Sequence, residues 1–171
     1  MPSSIRFPAP LAAGEDKCGA RAAWLILRRF GIRTTSARIL REVGWRAGVG
    51  THTVGIAAAL ATYGLRVEFS TDPDESPDPA EVPFYHRLAV LAVSVSPGMS
   101  LHELQSRVVQ GASVGVFYAR ATDDHFSVLE RIEDDRCVLH DTQMPTARLE
   151  KRRAGQGVLR QAVVAFAPGT G

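Results

Sequence analysis

Cys18 stands at the head of the stretch Asp16-Lys17-Cys18-Gly19-Ala20-Arg21-Ala22-Ala23-Trp24, which reads as the start of a helix. A thiol there lies among backbone N–H groups with no partner inside the helix, and the positive end of the helix dipole favours its thiolate. Lys17 beside it acts in the same direction. Such a thiolate attacks a carbonyl carbon when a base lies within hydrogen-bond reach and a third group orients the base. Among the five histidines, His125 opens an alternating run just after Asp123-Asp124, and Asp141 closes the next run. Paired as a hairpin, the two runs make the imidazole and the carboxylate cross-strand neighbours, a base and its orienter. Taken singly, the three residues have simpler readings: a small buried cysteine, an interior histidine and an aspartate capping a turn.

A zinc site is the other chemistry these residue types allow. Cys137-Val138-Leu139-His140 has a C-x₂-H spacing, and Cys18 and His125 would complete four ligands. On a strand, however, Cys137 and His140 point to opposite faces, which spoils chelation, so neither a metal nor a cofactor is expected. Cys137 shares a face with Asp141 and is expected to pack near the site. A disulfide between Cys137 and Cys18 would be an oxidation artefact or a redox control. His52, His86, His102 and His140 read as surface or packing residues, and Trp24 and Trp45 as core or cleft-wall aromatics.

The elements that must position these groups follow from periodicity. From Ala20 to Phe30 apolar side chains cover most of a helix circumference, with Arg21 and Arg28 marking a narrow solvent-facing stripe. Gly31 stands where a left-handed residue ends a helix, and Ile32 can pack back over that end. Residues 1 to 15 hold three prolines and read as an extended lead-in. A helix is expected over Ser36 to Val43, capped from Thr34-Thr35 and burying Ala37, Ile39, Leu40 and Val43. After a loop from Gly44 to Gly50, a third helix runs from Val54 to Tyr63, capped by Thr51 or Thr53 and ended by Gly64.

The pattern then changes. Leu65 to Ser70 alternates as a strand, and Thr71 to Pro83, with four prolines and five acids, is a surface excursion. Residues 88 to 95 fit a buried strand or a short helix equally. Ser100, with Glu103 at the capping-box position, starts a helix to about Val109 that Gly111 ends. Three β-rich runs follow, Ser113 to Tyr118, His125 to Ile132 and Cys137 to Asp141, and a last strand spans Gln161 to Phe166. Helices first and an antiparallel sheet afterwards describe an α+β protein.

Composition narrows the function classes. The 171 residues suit one domain, 1–171, long enough to bury about two-thirds of its unfolded surface without disulfides. A net charge of +2, with arginines scattered singly or in pairs, is not a nucleic-acid footprint, and the cluster Lys151-Arg152-Arg153 reads as a solvated loop. No run is long enough to span a membrane and no signal peptide opens the chain, so a cytoplasmic protein with reduced cysteines is expected.

The order Cys, His, Asp is that of papain-like enzymes. More closely, Asp16-Lys17-Cys18-Gly19-Ala20, the Phe30-Gly31-Ile32 helix end, the strand from Asp124 to Ile132 and the return ending in His140-Asp141 resemble the double-glycine leader peptidases. These are the bacteriocin-processing proteases of the papain-like superfamily, and the resemblance runs over roughly residues 5 to 167. It implies a papain-like α+β fold in which the nucleophile helix packs on the C-terminal sheet. It also implies a bacterial cysteine peptidase with Cys18 as nucleophile, His125 as general base and Asp141 as orienter, acting through an acyl-enzyme on a peptide such as a leader peptide. The family pattern has an oxyanion-holding glutamine just upstream of the cysteine. Here the position six before Cys18 is Ala12, and the first glutamine in the chain is Gln105. Two further functions therefore stand beside the peptidase: an acyltransferase passing an acyl group from a thioester donor to an amine, and a non-catalytic peptide-binding module.

Overall fold

A computed structural model describes residues 5–72, 78–120, 123–150 and 159–169. The basic cluster 151–153 and part of the acidic excursion, 73–77, lie outside these residues. The lead-in is not extended throughout. It contains a single helical turn, α1 (Ala9–Ala12), with Pro10 in its first turn and Leu11 wholly buried. Proline there is preset for helix and removes only an N–H that has no helical partner, so prolines that argued for extension start a helix instead.

A 3₁₀ turn at Glu15–Lys17 leads into α2 (Cys18–Arg29), whose residues Ala22 to Leu27 are all buried. At its end, Gly31 N donates to Arg28 O at 3.1 Å and Ile32 N to Leu27 O at 2.9 Å, while Gly31 takes a φ of 72°. These are the paired bonds that satisfy the last helical carbonyls, and the left-handed residue between them costs least as glycine. Next come α3 (Ser36–Glu42), where the Thr35 hydroxyl accepts from Arg38 N, and α4 (Thr53–Thr62). Ile39 in α3 and Val43 at its C-cap are buried as expected, Leu40 is partly buried against the same core, and Ala37 is exposed. The expected threonine cap on α4 is absent: His52 occupies the cap without a side-chain bond, and the Thr51 hydroxyl is buried with no partner among the described residues. A Cβ on Gly19 would meet Ile56 Cδ1 at 2.8 Å, so glycine after Cys18 lets α4 lie against the first turn of α2.

The sheet contains β1 (Arg66–Thr71), β2 (Ser94–Ser96), β3 (Ser113–Ala119), β4 (Asp124–Glu133), β5 (Arg136–Leu139), β6 (Gln143–Pro145) and β7 (Leu159–Phe166). Their spatial order is β2-β1-β7-β3-β4-β5-β6. Every pairing is antiparallel except β1 with β2, so the sheet is mixed at one edge. Residues 88 to 95 are neither one strand nor one helix: α5 (Val82–Val90) ends inside them and β2 begins. Most of them are not buried, with Val90 85% and Val95 49% exposed, Leu88 in the core and Val93 partly buried against it. An edge strand has a neighbour on one side only, which is why this apolar run stays at the surface. Helix α6 (Leu101–Val109) carries the full capping box, Ser100 N to Glu103 Oε2 at 2.7 Å and Glu103 N to Ser100 Oγ at 3.3 Å.

Alternation along β7 divides the interior. Val163 and Ala165 face α2 and α4 together with Phe126, Val128, Val67 and Phe69. Ala162 and Val164 face α6 and α7 (Thr146–Glu150) together with Tyr118, Leu129, Cys137 and Leu139. Each fully buried aliphatic or aromatic side chain contributes roughly 1.5–3 kcal/mol. The position of α2 against the sheet is therefore set by core packing along its length, and the polar groups at its first turn are free to serve chemistry.

Candidate active site

Helix α2 delivers Cys18 half-buried to the start of β4, and its approach is held on two sides. On one side, Asp16 Oδ2 accepts from Gly48 N at 3.0 Å and Lys17 Nζ lies 5.2 Å from the centre of the Trp45 ring. On the other, Arg21 Nε donates to Leu11 O at 2.7 Å and its Nη2 to Gly14 O. Arg21 is thus not part of a solvent stripe. A side chain one turn into a helix leans toward the N-terminus, and this one reaches back to the segment before the cysteine.

Strand β4 brings His125 to the sulfur. The imidazole shares a recess with Cys18, and together with the backbone N–H groups of Phe126 and Gly19 it favours the thiolate there. His125 Nε2 donates to Asp141 Oδ2 at 2.6 Å, which leaves Nδ1 for the thiol. Asp141 lies two residues past the end of β5, where His140 N still donates to Val128 O at 2.8 Å and so extends the ladder. Its second oxygen, Oδ1, accepts from the Ser127 hydroxyl. Tyr118, directly opposite His125 on β3, sets its ring edge-on to the imidazole with centroids 5.6 Å apart. The three residues singled out from sequence are thus brought together, with one carboxylate oxygen on the histidine and the other anchored to the strand.

The electrostatics follow from this geometry. Burial alone pushes the Cys18 thiol up, but the His125 bond, the Phe126 and Gly19 N–H groups and the nearby imidazolium outweigh it, and the pKa falls below 9.0. Burial pushes His125 down, yet its bonds to Asp141 and Cys18 raise it to about 9. Asp141 is lowered despite burial by its bonds to His125 and Ser127. Desolvation, then the Asp141 charge, push Tyr118 up to about 12, so it remains a neutral phenol beside the imidazole. The arrangement favours a thiolate–imidazolium pair.

Ser127 is two residues from His125 on one strand, and the period-2 rule would have put it on the same face. His140, expected as packing or surface, instead lines the recess holding Cys18 and His125, and Phe7 stacks edge-on to it with centroids 5.8 Å apart. Phe7, which also lines the recess, packs against Trp24 with centroids 5.6 Å apart. Cys137 is not at the site: it is wholly buried in the cluster beneath α6, and the two cysteines are not joined by a disulfide. Among the described residues no group of three or more side chains is placed to hold a metal ion. The recess is small, about 70 Å³, and beside it a groove of about 550 Å³ shares His140 and Asp141 and runs past Arg29 and Glu130.

No protein-family model and no curated protein matches this chain. Among solved structures it is similar to the peptidase domain of Streptococcus ComA, a bi-functional ABC transporter involved in a quorum-sensing pathway, with a TM-score of 0.57. The two are 15% identical over 90% of this chain and 93% of that domain. The likeness shows the fold, an α+β papain-like peptidase fold, as the resemblance to the double-glycine leader peptidases implied.

Proposed function

We propose that this chain is a cysteine peptidase-like hydrolase that cleaves a peptide or amide through an acyl-thioester on Cys18. The observation that carries the reading is Cys18, His125 and Asp141 lining one recess, with His125 Nε2 at 2.6 Å from the carboxylate. In this mechanism the Cys18 thiolate adds to the carbonyl carbon and the C=O electron pair moves to oxygen. Collapse of that intermediate expels the leaving amine, which takes the proton of the His125 imidazolium. His125, now neutral, removes a proton from water; the hydroxide adds to the thioester, and thiolate, imidazolium and free acid result. Asp141 holds the imidazole in one orientation throughout, and Ser127 holds Asp141.

A shared sheet with a core on each face supports residues 1–171 acting as one domain. An extended peptide suits the small recess and adjoining groove, and no helix among the described residues is long and apolar enough to cross a membrane. The test is acid-quenched intact mass after mixing with a peptide amide and with the matching peptide thioester. An acyl adduct on Cys18 that resolves to free acid is expected. Resolution only onto an added amine would make the chain an acyltransferase. No adduct from either donor would leave a peptide-binding module.

A further inference from the structure

Addition of a thiolate to a carbonyl places a full negative charge on oxygen, and a donor aimed at that oxygen is among the strongest single contributions to such reactions. Resting on the acyl-transfer reading above, we infer that Arg21 is a catalytic residue of this site: its guanidinium donates to the oxyanion formed when Cys18 attacks an acyl carbonyl. Positions 18 and 21 share one face of α2, one turn apart, and Arg21 lines the same recess as Cys18 and His125. Its orientation is fixed: Nε serves Leu11 O at 2.7 Å and Nη2 serves Gly14 O, both carbonyls of the segment entering the cysteine.

Two features suit the guanidinium to an anion that exists only during reaction. Its anchors are neutral carbonyls, and among the described residues no carboxylate pairs with it. Arg29, Arg107 and Arg120 are by contrast matched to Glu130, Glu68 and Asp123. Of its five N–H donors, two are used by the anchors, and Nη1 makes no hydrogen bond to a described residue. A half-buried cation with spare donors and no counter-charge, fixed beside a nucleophile, is preorganised for the charge that develops there. When the thiolate adds, the C=O pair moves to an oxygen facing Arg21. When the intermediate collapses the pair returns, the carbon–leaving-group bond breaks, and the leaving group takes its proton from His125.

The test compares two reactions of one thiolate in Arg21→Ala and Arg21→Lys. Iodoacetamide alkylates Cys18 by displacement at saturated carbon and forms no oxyanion, whereas a p-nitrophenyl ester or a peptide thioester must form one. The expected result is acylation slowed about 10²–10³-fold in Arg21→Ala, with partial recovery in Arg21→Lys. Alkylation keeps its rate and pH midpoint, which also shows that the Cys18–His125 pair remains folded. Unchanged acylation in Arg21→Ala, or acylation and alkylation falling together, overturns the inference. If the wild type alkylates normally but accepts neither acyl donor, the enzymatic reading itself fails and Arg21 loses this role with it.

Discussion

The two cysteines lie in the two cores on opposite faces of one sheet, and what surrounds them makes them different reagents. Cys18 is half-buried at a helix start beside an imidazole, and the imidazole and nearby backbone N–H groups lower its pKa. Cys137 is wholly enclosed with Leu101, Leu104, Leu129 and Met144, where it packs as a small apolar residue. The face that carries α2 ends in charge and hydrogen bonds; the face beneath α6 encloses its cysteine in an apolar cluster. Residue type says little about reactivity until the donors around the sulfur are known.

Substitutions should keep the two faces apart. The largest effect is expected from Cys18→Ser, which should abolish acyl-adduct formation while leaving the unfolding transition nearly unchanged. His125→Ala removes the base and should slow acylation by about 10²–10⁴-fold. Ser127→Ala leaves the His125–Asp141 bond but frees one carboxylate oxygen. Loss of that hydrogen bond, worth about 0.5–1.5 kcal/mol, should slow the reaction several-fold, with a shift in the alkylation midpoint of Cys18. Smallest at the site is Cys137→Ala: Cys18 should alkylate at the wild-type rate, while denaturant titration shows roughly 1 kcal/mol less stability. A slowed Cys18 in that last variant would break the separation of the two faces.

What was legible from the sequence was what local rules decide. The α2 pattern, the capping box at Ser100 and Glu103, and the hairpin of β4 and β5 each combine a period with a start or stop residue. The proximity of His125 and Asp141 followed from pairing two such runs. What depended on tertiary context did not come through. Residues 88–95 are apolar yet sit at a sheet edge, and β6 and α7 are too short for periodicity to register. Arg21 read as solvent-facing because its helix position is outward. Its length lets it turn back to Leu11 and Gly14, a contact no spacing rule reports. His140 carries no mark of its own, and it lines the recess beside Phe7 only because the ladder past β5 carries it there.

The central claim is that His125 and Cys18 form an ion pair, and it has a direct measure in the rate of Cys18 alkylation by iodoacetamide against pH, read with Cys137→Ser as background. Alkylation tracks the thiolate, so with the pair intact the rate should rise through a midpoint below the ordinary 9.0. His125, with its pKa near 9, remains a cation over most of that range. In His125→Ala the cation and its bond are gone while burial stays, so the midpoint should move up toward 9.0 or beyond. A wild-type midpoint already at the ordinary thiol value and indifferent to the histidine would contradict the account and leave Cys18 a packing residue like Cys137.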